Sequence, residues 1–141
     1  MHFEHTKKTK DLINIVSQFI AENVRPAEQV YKDQMETFRN EGNQWQVPAV
    51  IYELKEKAKS EGLWNFSLTG ELGYGLTNLE YAPLAEMMGV GWVAEVFNSS
   101  APDAGNMEVL DKYSSEEQKE KWLKPLLEGT MRSAFAMTEP N

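Results

Sequence analysis

The sequence predicts a mainly α fold: a bundle of about six helices that ends in one strand. Three observations carry this. Apolar residues recur at the three-to-four spacing that gives a helix one buried face. Ser or Thr followed three residues later by Glu opens two of these segments, as a helix cap does. Only the last stretch, Met131 to Met137, loses helical spacing and alternates in part.

In the first segment, Lys10 to Asn23, Leu12, Ile13, Val16, Phe19, Ile20 and Val24 form one stripe. Pro26 interrupts it, and Arg25 before the proline is expected to be extended. A second helix restarts near Pro26 and runs to about Arg39, with Val30 and Phe38 on a weaker apolar face. Asn40 to Gln46 reads as a loop. Pro48 opens a third helix through Ile51, Leu54 and Ala58, stopped by Gly62, with Lys55, Lys57 and Lys59 on its outer face.

Leu63 to Leu68 reads as a buried turn or a short strand, and Thr69 to Leu76 as a glycine-containing loop. Thr77 with Glu80 forms a capping box, so a fourth helix starts there and buries Leu79, Leu84, Met87 and Met88. Trp92 to Phe97 extends the helical pattern, and Asn98 to Pro102 breaks it. A further helix spans Ala104 to Tyr113 with Met107 and Leu110 inward. Ser114 with Glu117 is the second capping box. It opens a helix that carries Trp122, Leu123, Leu126 and Leu127 and closes at Gly129. A lone strand after it has no partner for its backbone groups, so the fold is expected to continue past the chain.

Composition bounds the function. With 141 residues and 41% hydrophobic content, the chain can bury a core. Four Trp, six Phe and five Tyr argue against disorder. The net charge of −8 and pI near 4.8 make nucleic acid and anionic membranes poor partners. No stretch approaches the run of about 18 apolar residues that a membrane span needs. The absence of cysteine removes disulfides and thiol chemistry, and with no secretory h-region at the N-terminus a cytoplasmic location is expected.

Chemistry has few places to start. His2 and His5, the only histidines, sit near the N-terminus and make a weak metal pair, and no Ser-His-Asp triad can be built. Gly73-Tyr74-Gly75 lacks the third glycine of a dinucleotide fingerprint, because position 78 is Asn, and reads as a loop. Met35, Met87, Met88, Met107 and Met137 read first as core filler. Trp64 and Trp92 read as packing before pocket lining. Glu22 and Glu28, like Glu116, Glu117 and Glu120, occupy exposed or helix-start positions, so no catalytic acid or base is assigned.

The C-terminal stretch Ser133-Ala134-Phe135-Ala136-Met137-Thr138-Glu139-Pro140 resembles the acyl-CoA dehydrogenase signature. So does the run before it, Tyr113-Ser114-Ser115-Glu116-Glu117-Gln118-Lys119 followed by Trp122-Leu123 and Pro125-Leu126-Leu127-Glu128-Gly129. Leu76 to Ala82 and Glu95 to Glu108 are most like the larger branch of this family, whose animal members are fused to a kinase-like domain.

The resemblance implies an N-terminal helical domain over residues 1–130 and, over 131–141, the start of a middle β-domain. It implies FAD as hydride acceptor and α,β-desaturation of an acyl-CoA substrate. An electron-transfer flavoprotein as partner and a homo-oligomer are implied with it. Carried over by motif, Phe135, Met137 and Thr138 are cofactor-binding, with the Thr138 hydroxyl at the pyrimidine side of the flavin. A capped strand end is the alternative role for Thr138. Phe97, Asn98 and Ala101 fall near the lining of the acyl pocket. Thr69 to Gly75 departs from the family's Pro-Glu-x-Tyr-Gly-Gly loop. No residue matches the catalytic glutamate, so the chain alone is expected to be inactive. A non-enzymatic helical interaction module derived from the same fold is the competing reading.

Overall fold

The structure, a computed structural model, describes residues 4–139, the Glu71 side chain apart; His2, Pro140 and Asn141 lie outside the described residues. Its elements run α1 (Lys7–Phe19), a π turn (Ile20–Val24), α2 (Arg25–Asn40) and α3 (Ala49–Ser60). A short 3-10 turn (Gly70–Leu72) leads to α4 (Asn78–Met88), α5 (Val93–Val96) and α6 (Asp103–Tyr113). The last rod is α7 (Glu116–Gln118), a second π turn (Lys119–Leu123) and α8 (Lys124–Glu128).

The first rod corrects the expected break. Thr6 caps α1 by accepting from the Thr9 amide. The helix then passes through Pro26 without stopping, and Arg25 is helical at φ −59°, ψ −44°. A proline ring crowds the carbonyl four residues back and offers no N–H to it. Here the Arg25 amide donates to the Ile20 carbonyl, one residue farther back than in an α-helix, and the widened turn absorbs the conflict. The same device recurs before Pro125, where the Lys124 amide donates to the Lys119 carbonyl.

Other boundaries follow local chemistry. The Thr77–Glu80 capping box is formed at α4. The second box is shifted by one residue: Ser115 pairs with Gln118, while the Ser114 hydroxyl donates back to the Leu110 carbonyl and ends α6. Gly62 and Gly129 stop their helices at φ +73° and +72°, a conformation that glycine adopts without steric cost. Residues 131–139 form no strand, because a strand requires ladder pairing and no second strand lies among the described residues.

α1 packs on α4, α3 on both α2 and α5, and α6 on α8. The main core gathers Val16, Phe19, Leu54, Leu84, Met88 and Phe97. Phe97 meets Phe19 edge-on at 5.4 Å and Phe66 at 5.8 Å. Each such fully buried side chain contributes roughly 1.5–3 kcal/mol. A smaller core of Leu68, Met107, Leu123 and Leu126 joins α6 to the last rod.

One expected core residue and one aromatic of the last rod face solvent. Leu79 is 67% exposed because it lies five residues before buried Leu84, about 140° round the helix. Trp122 is 39% exposed because its neighbour Leu123 takes the inward position. Val30, on the weak face of α2, is exposed as well.

A polar knot closes the bundle. Leu63 to Leu68 is a buried turn, and Asn65 and Asn98 both adopt positive φ, 58° and 51°. The Asn65 amide donates to the Phe97 carbonyl at 3.0 Å. The Asn98 carboxamide donates to Asn65 Oδ1 at 2.7 Å and to the Leu126 carbonyl at 2.9 Å. Asn65 and the Trp64 indole both donate to the Leu127 carbonyl, at 3.1 and 2.8 Å. Buried asparagine is tolerable here because its donors are used and because it accepts the left-handed backbone.

Candidate functional site

Asp103 stands at the first turn of α6, where the helix dipole favours a carboxylate. It is 2% exposed, so its charge must be compensated. Arg132 Nε donates to one oxygen at 2.6 Å, and the Ser133 amide and hydroxyl donate to the other at 2.6 and 2.5 Å. Arg132 also pairs with Glu95 at 2.8 Å. Glu95 in turn accepts from Lys55 at 2.8 Å and from the Ser100 hydroxyl at 2.7 Å. Two acids and two bases thus form one chain of charge, buried but for the half-exposed Arg132.

The sequence gives none of this network a site role, and Lys55, expected on the outer face of α3, is turned inward. It is 5% exposed. The signal was available, since Ile51, Leu54, Lys55 and Ala58 follow the spacing of a single helix face.

The network forms the polar end of a groove of about 320 Å³ between α2, α3 and the turn before α6. Its polar side carries Gln46, Glu95, Ser100 and Arg132, and its apolar wall carries Met35, Val47, Pro48, Ile51 and the stacked pair Tyr31 and Trp92, whose rings lie 4.8 Å apart. Ala101 lines the same groove. Phe97 and Asn98 do not: the first is in the aromatic core and the second in the asparagine knot. Trp64 is tied to the last rod, whereas Trp92 lines the groove. Met88 and Met107 are core as expected, whereas Met35 lines the groove and Met137 is exposed.

Residues 131–133 leave the bundle between two cavities. Arg132 points to the first groove, whereas Met131 and Ser133 line an apolar one of about 280 Å³ with Val109, Leu110, Trp122 and Leu126. Beyond them Phe135 is 63% and Met137 81% exposed, and Thr138 is exposed too.

An N-terminal domain model of the acyl-CoA dehydrogenases matches residues 6–130. The chain belongs to this family. It is 50% identical over 130 residues to acyl-CoA dehydrogenase family member 10 of mouse, covering 87% of this chain and 12% of that protein. FadE2 of Mycobacterium tuberculosis, named as an acyl-CoA dehydrogenase, is 46% identical over 144 residues, covering 99% of this chain and 34% of its own length. A solved acyl-CoA dehydrogenase structure from Mycobacterium abscessus superposes with a TM-score of 0.89 at 47% identity, over 98% of this chain and 36% of that one. The chain therefore spans about a third or less of these relatives.

The family is generally FAD-dependent. The acyl-CoA dehydrogenase domain here leaves exposed the ring of Phe135, the thioether of Met137 and the hydroxyl of Thr138. It offers no phosphate cradle at Gly73-Tyr74-Gly75. A Cβ on Gly73 would collide with the Leu68 carbonyl and lie 2.7 Å from the Asn65 carbonyl, so this glycine serves backbone packing. The Tyr74 hydroxyl is spent on the Gly62 carbonyl. Among the described residues no three His, Cys, Asp or Glu side chains gather as a metal site, and no helix is long and apolar enough to cross a membrane.

Proposed function

We propose that the chain serves as the N-terminal helical domain of a flavin-dependent acyl-CoA dehydrogenase, supplying one side of the acyl and flavin sites. The carrying observation is that the segment with the family signature leaves the bundle exposed, next to a groove lined by Ala101. On this reading residues up to 130 are the helical domain, and 131 onward is the first strand of a β-domain that lends it a partner. FAD bound there supplies the hydride acceptor for desaturation of an acyl-CoA thioester. Phe135 and Met137 would contact the flavin, and Thr138 would donate to its pyrimidine edge. Ala101 would touch the acyl chain directly, with Phe97 and Asn98 holding that wall from behind. No carboxylate of this chain matches the family's base, so the chain alone is expected to be inactive. An electron-transfer flavoprotein and a homo-oligomeric assembly belong to the same reading.

The test uses a chimera in which residues 1–141 replace the matching third of the Mycobacterium abscessus relative. Thr138→Val keeps the shape and the strand preference but removes the donor. A lost hydrogen bond to a group gaining charge costs roughly 1.5–3 kcal/mol, so flavin reduction by acyl-CoA should slow by roughly ten- to hundredfold with the melt unchanged. Equal reduction rates would remove the flavin role. A collapsed melt with unchanged chemistry would make Thr138 a strand cap.

A further inference from the structure

We propose that Arg132 is a positioning residue: gripped by Asp103 and Glu95, it sets the register in which segment 133–138 leaves the bundle. It thereby decides which side chains meet the flavin. The proposal rests on the flavin reading above and adds the device that orients the segment.

Burying Asp103, Glu95 and Lys55 requires desolvating three charges, and a buried ion pair seldom stabilises more than well-packed apolar residues would. What such a network does supply is directionality, because each contact has a fixed partner and angle. The contacts converge on two consecutive residues. Arg132 Nε and the Ser133 amide take the two Asp103 oxygens, and Asn106 donates to the Ser133 hydroxyl at 2.8 Å. Arg132 then reaches Glu95 with its other nitrogen. One backbone donor and the Arg132 Nε are fixed against the same carboxylate, so the chain cannot slide without breaking both.

Register matters because an extended segment alternates its faces with period two. Arg132 and Thr138 share one parity, and Ser133, Phe135 and Met137 share the other. A slip of one residue would put Ala134 and Ala136 in the places of Phe135 and Met137 and turn the Thr138 hydroxyl to the opposite face. The bundle holds Phe135, Met137 and Thr138 little, since all three are exposed. The clamp at 132–133 is thus the anchor that the following residues inherit. Glu95 and Arg132 also line the groove that contains Ala101, so one network joins the groove wall to the signature segment.

The first arm of the test is amide hydrogen exchange on the 141-residue chain, comparing wild type with Arg132→Met and Asp103→Asn. The Arg132 side chain is 45% exposed, so methionine can keep its stem packing. The Ser133 amide should exchange roughly tenfold faster in both variants, with the α3 amides of Leu54 and Ala58 unchanged. An unchanged Ser133 amide overturns the clamp, and so does a uniform loss of protection, which would make the network a support of the whole fold. In the second arm the chimera carries Arg132→Met or Arg132→Lys. Flavin should be retained in both, with reduction roughly tenfold slower for Met and partly rescued for Lys, which keeps the charge but lacks the fork. Wild-type rates in both variants overturn the positioning role. A wild-type chimera that folds without flavin defeats the functional reading instead, while the exchange arm still decides whether Arg132 grips the segment.

Discussion

Asn98 concentrates two demands that no other residue type but its own meets, and Asn98→Ala separates them. Its φ of 51° lies in the left-handed region, where an alanine costs about 1 kcal/mol more than asparagine or glycine. Its carboxamide supplies the donor for the Leu126 carbonyl and for Asn65 Oδ1. The Leu126 carbonyl keeps the Gly129 amide at 3.0 Å, but Asn65 Oδ1 is left without a partner, which costs about 1–3 kcal/mol. The Asn98→Ala variant should therefore lose about 2–4 kcal/mol, a drop of roughly 6–16 °C in Tm for a chain of this length. Asn98→Gly restores the backbone freedom without the donors and should recover about 1 kcal/mol of the loss. Urea denaturation of the three proteins measures these differences. A loss below about 1 kcal/mol for Asn98→Ala would mean the knot is not paired as described, and equal stability of the Ala and Gly variants would remove the backbone contribution.

Two further predictions test local readings. The Glu80 carboxyl is held below its ordinary 4.5 by the Thr77 amide and hydroxyl, with the Thr6 hydroxyl adding a further hydrogen bond. A lowered carboxyl pKa contributes stability that is full above the ordinary value and is lost as pH falls through the folded one. The melting gap between wild type and Glu80→Gln should thus close as pH falls below 4.5, and a gap that widens there would contradict it. Gly73→Ala should cost about 1–3 kcal/mol or more, because the added methyl meets backbone carbonyls that cannot yield, whereas Gly42→Ala meets nothing and should cost only the strain of its positive φ. Equal costs at the two sites would show that the 65–73 turn is looser than described.

The helices were legible because their signals are local. Thr77 and Glu80 lie three residues apart, and the stripe Leu12, Val16 and Phe19 reads directly as a buried face. Pro26 misled because a proline rule describes an ordinary helix, and the π turn that lets the helix pass is a geometric choice not written in any one residue. The capping boxes at Ser114 and Ser115 differ only in which serine ends α6, so sequence spacing could not separate them. The charge network was illegible for a different reason. Lys55, Glu95, Asp103 and Arg132 are scattered along the chain, and only tertiary packing brings them together, although the position of Lys55 between Leu54 and Ala58 already placed it inward. The signature segment from Ser133 was the one part of the candidate site legible as a motif, and its neighbours in space were not.

On the proposed function, this domain supplies one edge of a flavin site and needs the rest of such an enzyme to complete it. The absorbance spectrum after mixing with FAD and desalting tests that most directly, taken on the 141-residue chain and on the chimera. The isolated chain should be colourless and show no acyl-CoA oxidation, beside a yellow chimera whose colour is bleached by acyl-CoA. An isolated chain that keeps stoichiometric FAD or turns over acyl-CoA would contradict it, as would a folded chimera that stays colourless.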